Sequence, residues 1–135
     1  GTAEGPKYPR QMAVAAGRLF VREADGKLSA FDGRTWERNL LRHQVKRSWI
    51  GALIPFNGGL AMGGWGTVIT GLPGAWKELH LPAPWDKVGL TALAGSGSTL
   101  SAGTGKSGVL WIDLESGRCV QAPGGPADPW VTTLA

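Results

Sequence analysis

The chain has 135 residues, among them 22 glycines, 7 tryptophans and 1 cysteine, and a net charge of +4. That length suits one domain with a sizeable core, and the mild, dispersed charge argues against a nucleic-acid partner. A lone cysteine excludes an intrachain disulfide and fits the cytoplasm, with a secreted or periplasmic location left open, and no apolar run approaches the ~18 residues of a membrane span.

Residues 1–10, "GTAEGPKYPR", read as a tail without the apolar core of a signal peptide. A first unit, 11–48, follows. Its strands are expected at Met12–Ala16, Arg18–Arg22, Lys27–Phe31 and Thr35–Leu40. The turn pairs Asp25-Gly26 and Asp32-Gly33 separate them, since glycine supplies the positive φ of a tight turn. The second unit, 49–88, has strands at Ile50–Pro55, Gly59–Gly63, Thr67–Gly71 and Trp76–Leu81. The third, 89–129, has them at Leu90–Ala94, Thr99–Gly103, Gly108–Asp113 and Arg118–Ala122. Residues 130–135, "WVTTLA", read as the first strand of a fourth.

These divisions rest on internal similarity. "QMAVAAGRLFVRE", "WIGALIPFNGGLAMGG" and "GLTALAGSGSTLSAGT" each run apolar strand, small turn and a strand resumed at leucine: Leu19, Leu60 and Leu100. The starts at 11, 49, 89 and 130 lie 38, 40 and 41 residues apart. A period near ~40 with four short strands per unit is the mark of β-propeller blades. Helical repeats of that period need longer uninterrupted runs than these glycines allow. The expected fold is therefore an all-β propeller of four-stranded antiparallel blades, here three blades and the first strand of a fourth. Three blades leave apolar faces exposed, so further blades or another chain are expected to complete the ring.

The stretch "LSAGTGKSGVLWIDLESGR" resembles the middle of blades in bacterial propellers of the two-component-regulator and Asp-box types. "SAFDGRTW" is similar to an Asp-box, with Phe31 where the aspartate belongs and Asp32 one place later. The resemblance covers residues 11 to 135. It implies that the Asp-box is a structural turn with no catalytic duty. Sialidases share such a fold, but their arginine cluster and nucleophilic tyrosine have no counterpart; the single tyrosine, Tyr8, lies in the tail.

No catalytic constellation stands out. "GTGKS" ends like a phosphate-binding loop, but Leu100 replaces the first glycine and a strand-like "GVLWIDL" follows where a helix must cradle phosphate. His43 and His80 are isolated, so no metal site is expected, nor any cofactor. Cys119 matches Trp36 and Trp76 in the other units and is expected to pack rather than react.

Tryptophans on loops carry more information. Trp65 and Trp85 fall in "GWGT" and "APWDK", where an indole offers a flat apolar face and one N–H donor. In a four-stranded blade, the loop between second and third strands opens on the same side as the blade-to-blade connection. Trp65, Trp85, Lys106, Arg42, Lys46 and Arg47 are thus expected on one face. The chain is read as a non-enzymatic recognition or scaffolding module, bacterial in style, that binds protein partners and associates with itself to complete the ring. A lectin-like propeller stacking sugars on Trp65 and Trp85 is one alternative; a fragment of a propeller hydrolase is another.

Overall fold

In the computed structural model the described residues are 6, 8–24, 27–41 and 50–122. They form three four-stranded antiparallel sheets in which spatial order follows chain order. The first sheet holds β1 (Pro9–Ala15), β2 (Arg18–Glu23), β3 (Leu28–Phe31) and β4 (Trp36–Glu37). The second holds β5 (Ala52–Phe56), β6 (Gly59–Gly63), β7 (Thr67–Gly71) and β8 (Lys77–His80). The third holds β9 (Leu90–Ser96), β10 (Thr99–Thr104), β11 (Val109–Asp113) and β12 (Cys119–Gln121). One 3-10 turn, Trp85–Lys87, is the helical element among the described residues.

Turn chemistry sets the first hairpin of each sheet. Ala16-Gly17 and Asn57-Gly58 have positive φ at both places, and Gly97 at the first of its pair. Those are the primed two-residue turns whose twist matches that of the strands they join. The fourth strands are shorter than expected, and β4 shows why. Asn39 takes φ 59, a left-handed conformation that ends the extended run. The chain then resumes contact through the Leu40 amide, which donates to the Leu28 carbonyl at 2.8 Å. At the other end, β1 begins at Pro9, inside the stretch expected to be tail, because Pro9 pairs with Glu23 across a register shift. Asp25-Gly26, the connection at 42–49 and the expected fourth-unit strand at 130–135 lie outside the described residues.

Alternation along the strands sends one set of side chains to each face. From the first sheet, Ala13, Ala15, Phe20, Leu28 and Ala30 pack against Leu53, Leu60, Met62 and Ile69 of the second. The second sheet's other face, with Ala61 and Val68, packs against Leu90, Leu100, Ala102, Leu110, Ile112 and Cys119 of the third. The middle sheet is thus covered on both faces, and all five residues of β6 are buried. Each large side chain fully removed from water there contributes about 1.5–3 kcal/mol. The first strands draw together along the stack, β1 against β5 and β5 against β9. Blades of a propeller approach one another in this way at their inner strands, and the stack is propeller-like.

No other described sheet covers the two outermost faces, although Val21 and Ser29, which share the first sheet's outward face with Met12, are buried. On the first sheet, Met12 and Val14 are 64% and 66% exposed. On the third, Val120 is 43% exposed.

Close approach between second and third sheets depends on Gly63. A Cβ there would come within 2.8 Å of the Leu90 Cβ. Gly63→Val is expected to push the third sheet off the second, lowering the midpoint of thermal unfolding and broadening the transition. Differential scanning calorimetry checks this, and an unchanged midpoint contradicts it.

Candidate functional site

One end of the stack carries the loops between second and third strands together with the sheet-to-sheet connections. Backbone bonds lace the two kinds of segment there. The Gly66 amide donates to Val88 O at 2.7 Å, the Leu81 amide to Gly66 O at 2.8 Å and the Leu90 amide to Gly64 O at 3.1 Å. Trp65 itself forms an isolated antiparallel bridge with Gly89. Loop and connection therefore hold each other, and the side chains they carry are presented from a fixed backbone.

Trp65 is 49% exposed on this end. Trp85 stands on the neighbouring 3-10 turn, but its ring packs against the cluster between second and third sheets. Its loop position concealed that packing role, because the turn folds back over Leu81 and Val88 and needs an apolar plug. Lys106 is exposed at the tip of the β10–β11 loop. Thr104 pairs with Leu90, so this tip emerges at the end where β9 begins, directly after the turn that bears Trp85. Trp65, Trp85 and Lys106 thus belong to one end of the stack. Arg42, Lys46 and Arg47 lie outside the described residues, as do His43, Trp49 and Trp130.

The "GTGKS" segment is a hairpin loop. The Thr104 hydroxyl donates to Gly108 O at 2.9 Å and accepts from the Ser107 amide at 2.8 Å, while the Gln121 amide side chain donates to Ser107 O at 2.6 Å. Strand β11 follows, so no helix N-terminus faces the loop.

A polar chain on the same end escaped the sequence. The Gln11 side-chain amide donates to Gly51 O at 2.7 Å, tying the first sheet to the lead-in of the second. Arg22 Nε donates to Gln11 Oε1 at 3.0 Å. Arg38 Nη2 lies 2.7 Å from Glu23 Oε1, a carboxylate that is otherwise buried. Partial burial, with Arg10 nearby, lowers the Arg22 pKa. The one available signal was a charged pair, Arg22-Glu23, directly after the apolar run Leu19-Phe20-Val21.

The opposite end carries the short turns. Asp32 Oδ1 accepts from the Arg34 and Thr35 amides at 2.8 and 3.0 Å, and Asp113 Oδ1 accepts from the Glu115 amide at 3.0 Å. These backbone donors hold both carboxyls below the usual carboxylate range. Both aspartates are turn formers. A groove of about 960 Å³ opens here between second and third sheets, with Phe56, Val68, Leu79 and Leu114 along its floor and Lys77, Glu78 and Glu115 on its rim. The Asn57 side-chain amide spans it at one edge, donating to Gly97 O at 2.7 Å. The corresponding space between first and second sheets is occupied by Leu72 and Trp76, the indole N–H reaching Leu40 O at 3.4 Å. Ladder register makes Cys119 the counterpart of Trp76, and the smaller side chain leaves the second interface less filled. Among the described residues, no group of three or more ligand-type side chains could hold a metal ion, and no helix is long and apolar enough to cross a membrane.

Two measurements test this geometry. A Cβ at Gly66 would collide with the Asp86 carbonyl, at a residue whose φ is +58, whereas Gly105 faces open space. Gly66→Ala is expected to unfold the lacing and lower the thermal midpoint by several degrees; Gly105→Ala leaves it unchanged. Burial raises the Cys119 pKa, so thiolate is scarce in the folded chain. Iodoacetamide at pH 8 should label native Cys119 at least about tenfold more slowly than the urea-unfolded chain; equal rates would contradict its packing.

No protein-family model matches the chain, and no curated protein matches it in sequence. Solved structures do. The extracellular domain of BT4673 from B. thetaiotaomicron, described as part of a one-component system, is 16% identical with a TM-score of 0.70. The match covers 88% of this chain but only 17% of that one. The computationally designed Ika4 protein is 24% identical with a TM-score of 0.67, over 92% of this chain and 78% of its own. The designed Ika8 protein is also 24% identical, with a TM-score of 0.62, over 87% and 37%. At these identities the likeness is one of fold: an all-β, propeller-like stack of four-stranded sheets.

Proposed function

We propose that the chain is a non-enzymatic recognition and scaffolding module that binds protein, copies of itself included. One observation carries this reading: the outward faces of the first and third described sheets carry exposed apolar side chains, Met12 and Val14 on one and Val120 on the other. Apolar sheet surface of that kind is buried by another sheet or by a partner. The laced loop end supplies a second surface, rigid in backbone and mixed in chemistry, where exposed Trp65 and Lys106 suit a protein hot spot. The extracellular domain of BT4673, described as part of a one-component or hybrid two-component system, shares this fold.

A lectin-like reading keeps one supporting observation, the half-exposed indole of Trp65. It loses its second stacking platform, because Trp85 packs inward.

Light scattering and a saccharide titration decide between the two. The protein-binding reading expects a solution mass above that of one chain and tryptophan fluorescence indifferent to mono- and oligosaccharides. Saccharide-dependent quenching that disappears in Trp65→Ala overturns it in favour of the lectin.

A further inference from the structure

The two exposed faces are the two halves of an interface that the chain already builds twice. Ladder register shows this. Leu60 lies opposite Gly71 and Leu100 opposite Ile112, and both leucines face the preceding sheet, fully buried. Leu19 lies opposite Phe31 in the matching place, with Trp36 next in the ladder. This row lies on the face turned away from the second sheet, where no described sheet precedes it. At the other end of the stack, Ala94, Ser101, Trp111 and Val120 form the row that in the second sheet reads Ile54, Ala61, Thr70 and Lys77. The second-sheet row lies on the face covered by the third sheet.

We propose that two copies of this chain close head to tail, the first sheet of each packing on the third sheet of the other. The inference rests on the reading above that the chain binds copies of itself, and specifies the surfaces and the number. The contact is heterologous, since the two faces differ, and it generates a ring if the rotation closes. Closed propellers typically hold about four to eight blades. Two copies supply six of the described sheets and three supply nine, so two is the count that fits. Trp36 matches Trp76 in register, and Trp76 packs into the interface between first and second sheets. Trp36 of one copy therefore enters the interface with the other. A hollow of about 260 Å³ on the receiving face, lined by Thr99, Ile112, Arg118 and Val120 among others, leaves room for a side chain. In the single chain Trp36 rests on Phe31, ring centroids 5.0 Å apart.

Complementation tests the pairing. Met12 and Val120 are exposed, so Met12→Lys and Val120→Lys leave the fold intact by circular dichroism while each placing a charge in one face. The full chain is expected at twice the chain mass by light scattering, and each variant at one chain mass. An equimolar mixture of the two variants recovers a two-chain species, because one of its two contacts pairs unaltered faces. Trp36→Ala is expected to weaken the wild-type pair by about tenfold or more, as loss of a buried aromatic anchor does. An assembly of three or more chains, one unmoved by the two lysines, or no recovery on mixing overturns the head-to-tail pair and leaves the protein-binding reading standing. A single-chain mass at every concentration overturns the pair and, with it, the self-association in the reading above.

Discussion

The middle sheet is buried on both faces, and the rest of the structure depends on that. A sheet has two sides, and side chains alternate between them. When both sides of β5–β7 carry mostly small and apolar residues, the sheet cannot stand at the edge of a domain; it needs a neighbour on each side. β6 makes the point most sharply, since Gly59, Leu60, Ala61, Met62 and Gly63 are all buried. Glycine and alanine there let the neighbouring sheets come close, and leucine and methionine fill the remaining space. The first and third sheets supply the cover, yet each has a second face of similar construction. The stacking rule that explains the centre therefore leaves, among the described residues, exposed apolar side chains on both outer faces, Met12, Val14 and Val120.

Much of this was legible because the units repeat. Leu19, Leu60 and Leu100 could be aligned by eye, and each marks a second strand that the structure also shows. The first hairpin turns of the second and third units fall in the small-residue turns of the repeat, at Asn57-Gly58 and Gly97. What stayed hidden was whatever joins one unit to the next. Gln11 reaches Gly51, and Asn57 reaches Gly97, each bond spanning 40 residues. That separation is about the repeat length itself, so these bonds link neighbouring units at corresponding places, and no single unit betrays them. Local geometry misled in the opposite direction at Asn39, whose left-handed backbone cuts β4 short inside a stretch that looks extended. Trp85 misleads for a third reason: its place in a loop hides a packing role, and the 3-10 turn sets its half-buried ring against the core.

The site is likewise divided between a readable and an unreadable part. That Trp65 and Lys106 share an end follows from blade topology alone. That the end is stiff does not, because stiffness comes from backbone bonds among Gly64, Gly66, Leu81, Val88 and Leu90. Two of those residues are glycines whose side chains reveal nothing. A recognition surface built in this way loses little conformational entropy on binding, since its backbone is fixed before the partner arrives.

Adaptability resides at the opposite end, and it is unequal between the two internal interfaces. Trp76 fills the space between first and second sheets and fixes its indole N–H on the Leu40 carbonyl. At the matching place in the third sheet stands Cys119, and a groove opens beside Asn57, Leu79 and Leu114. Tryptophan-for-cysteine exchange removes most of a side chain, and packed interiors tolerate lost volume only by relaxing or by admitting solvent. The second interface is therefore the less filled at its groove end, while its other end is tied by the Gly66–Val88 and Leu90–Gly64 bonds and the Trp65–Gly89 bridge. The lost volume stays local to the groove, and the two sheets remain joined where the loop and the connection lace together.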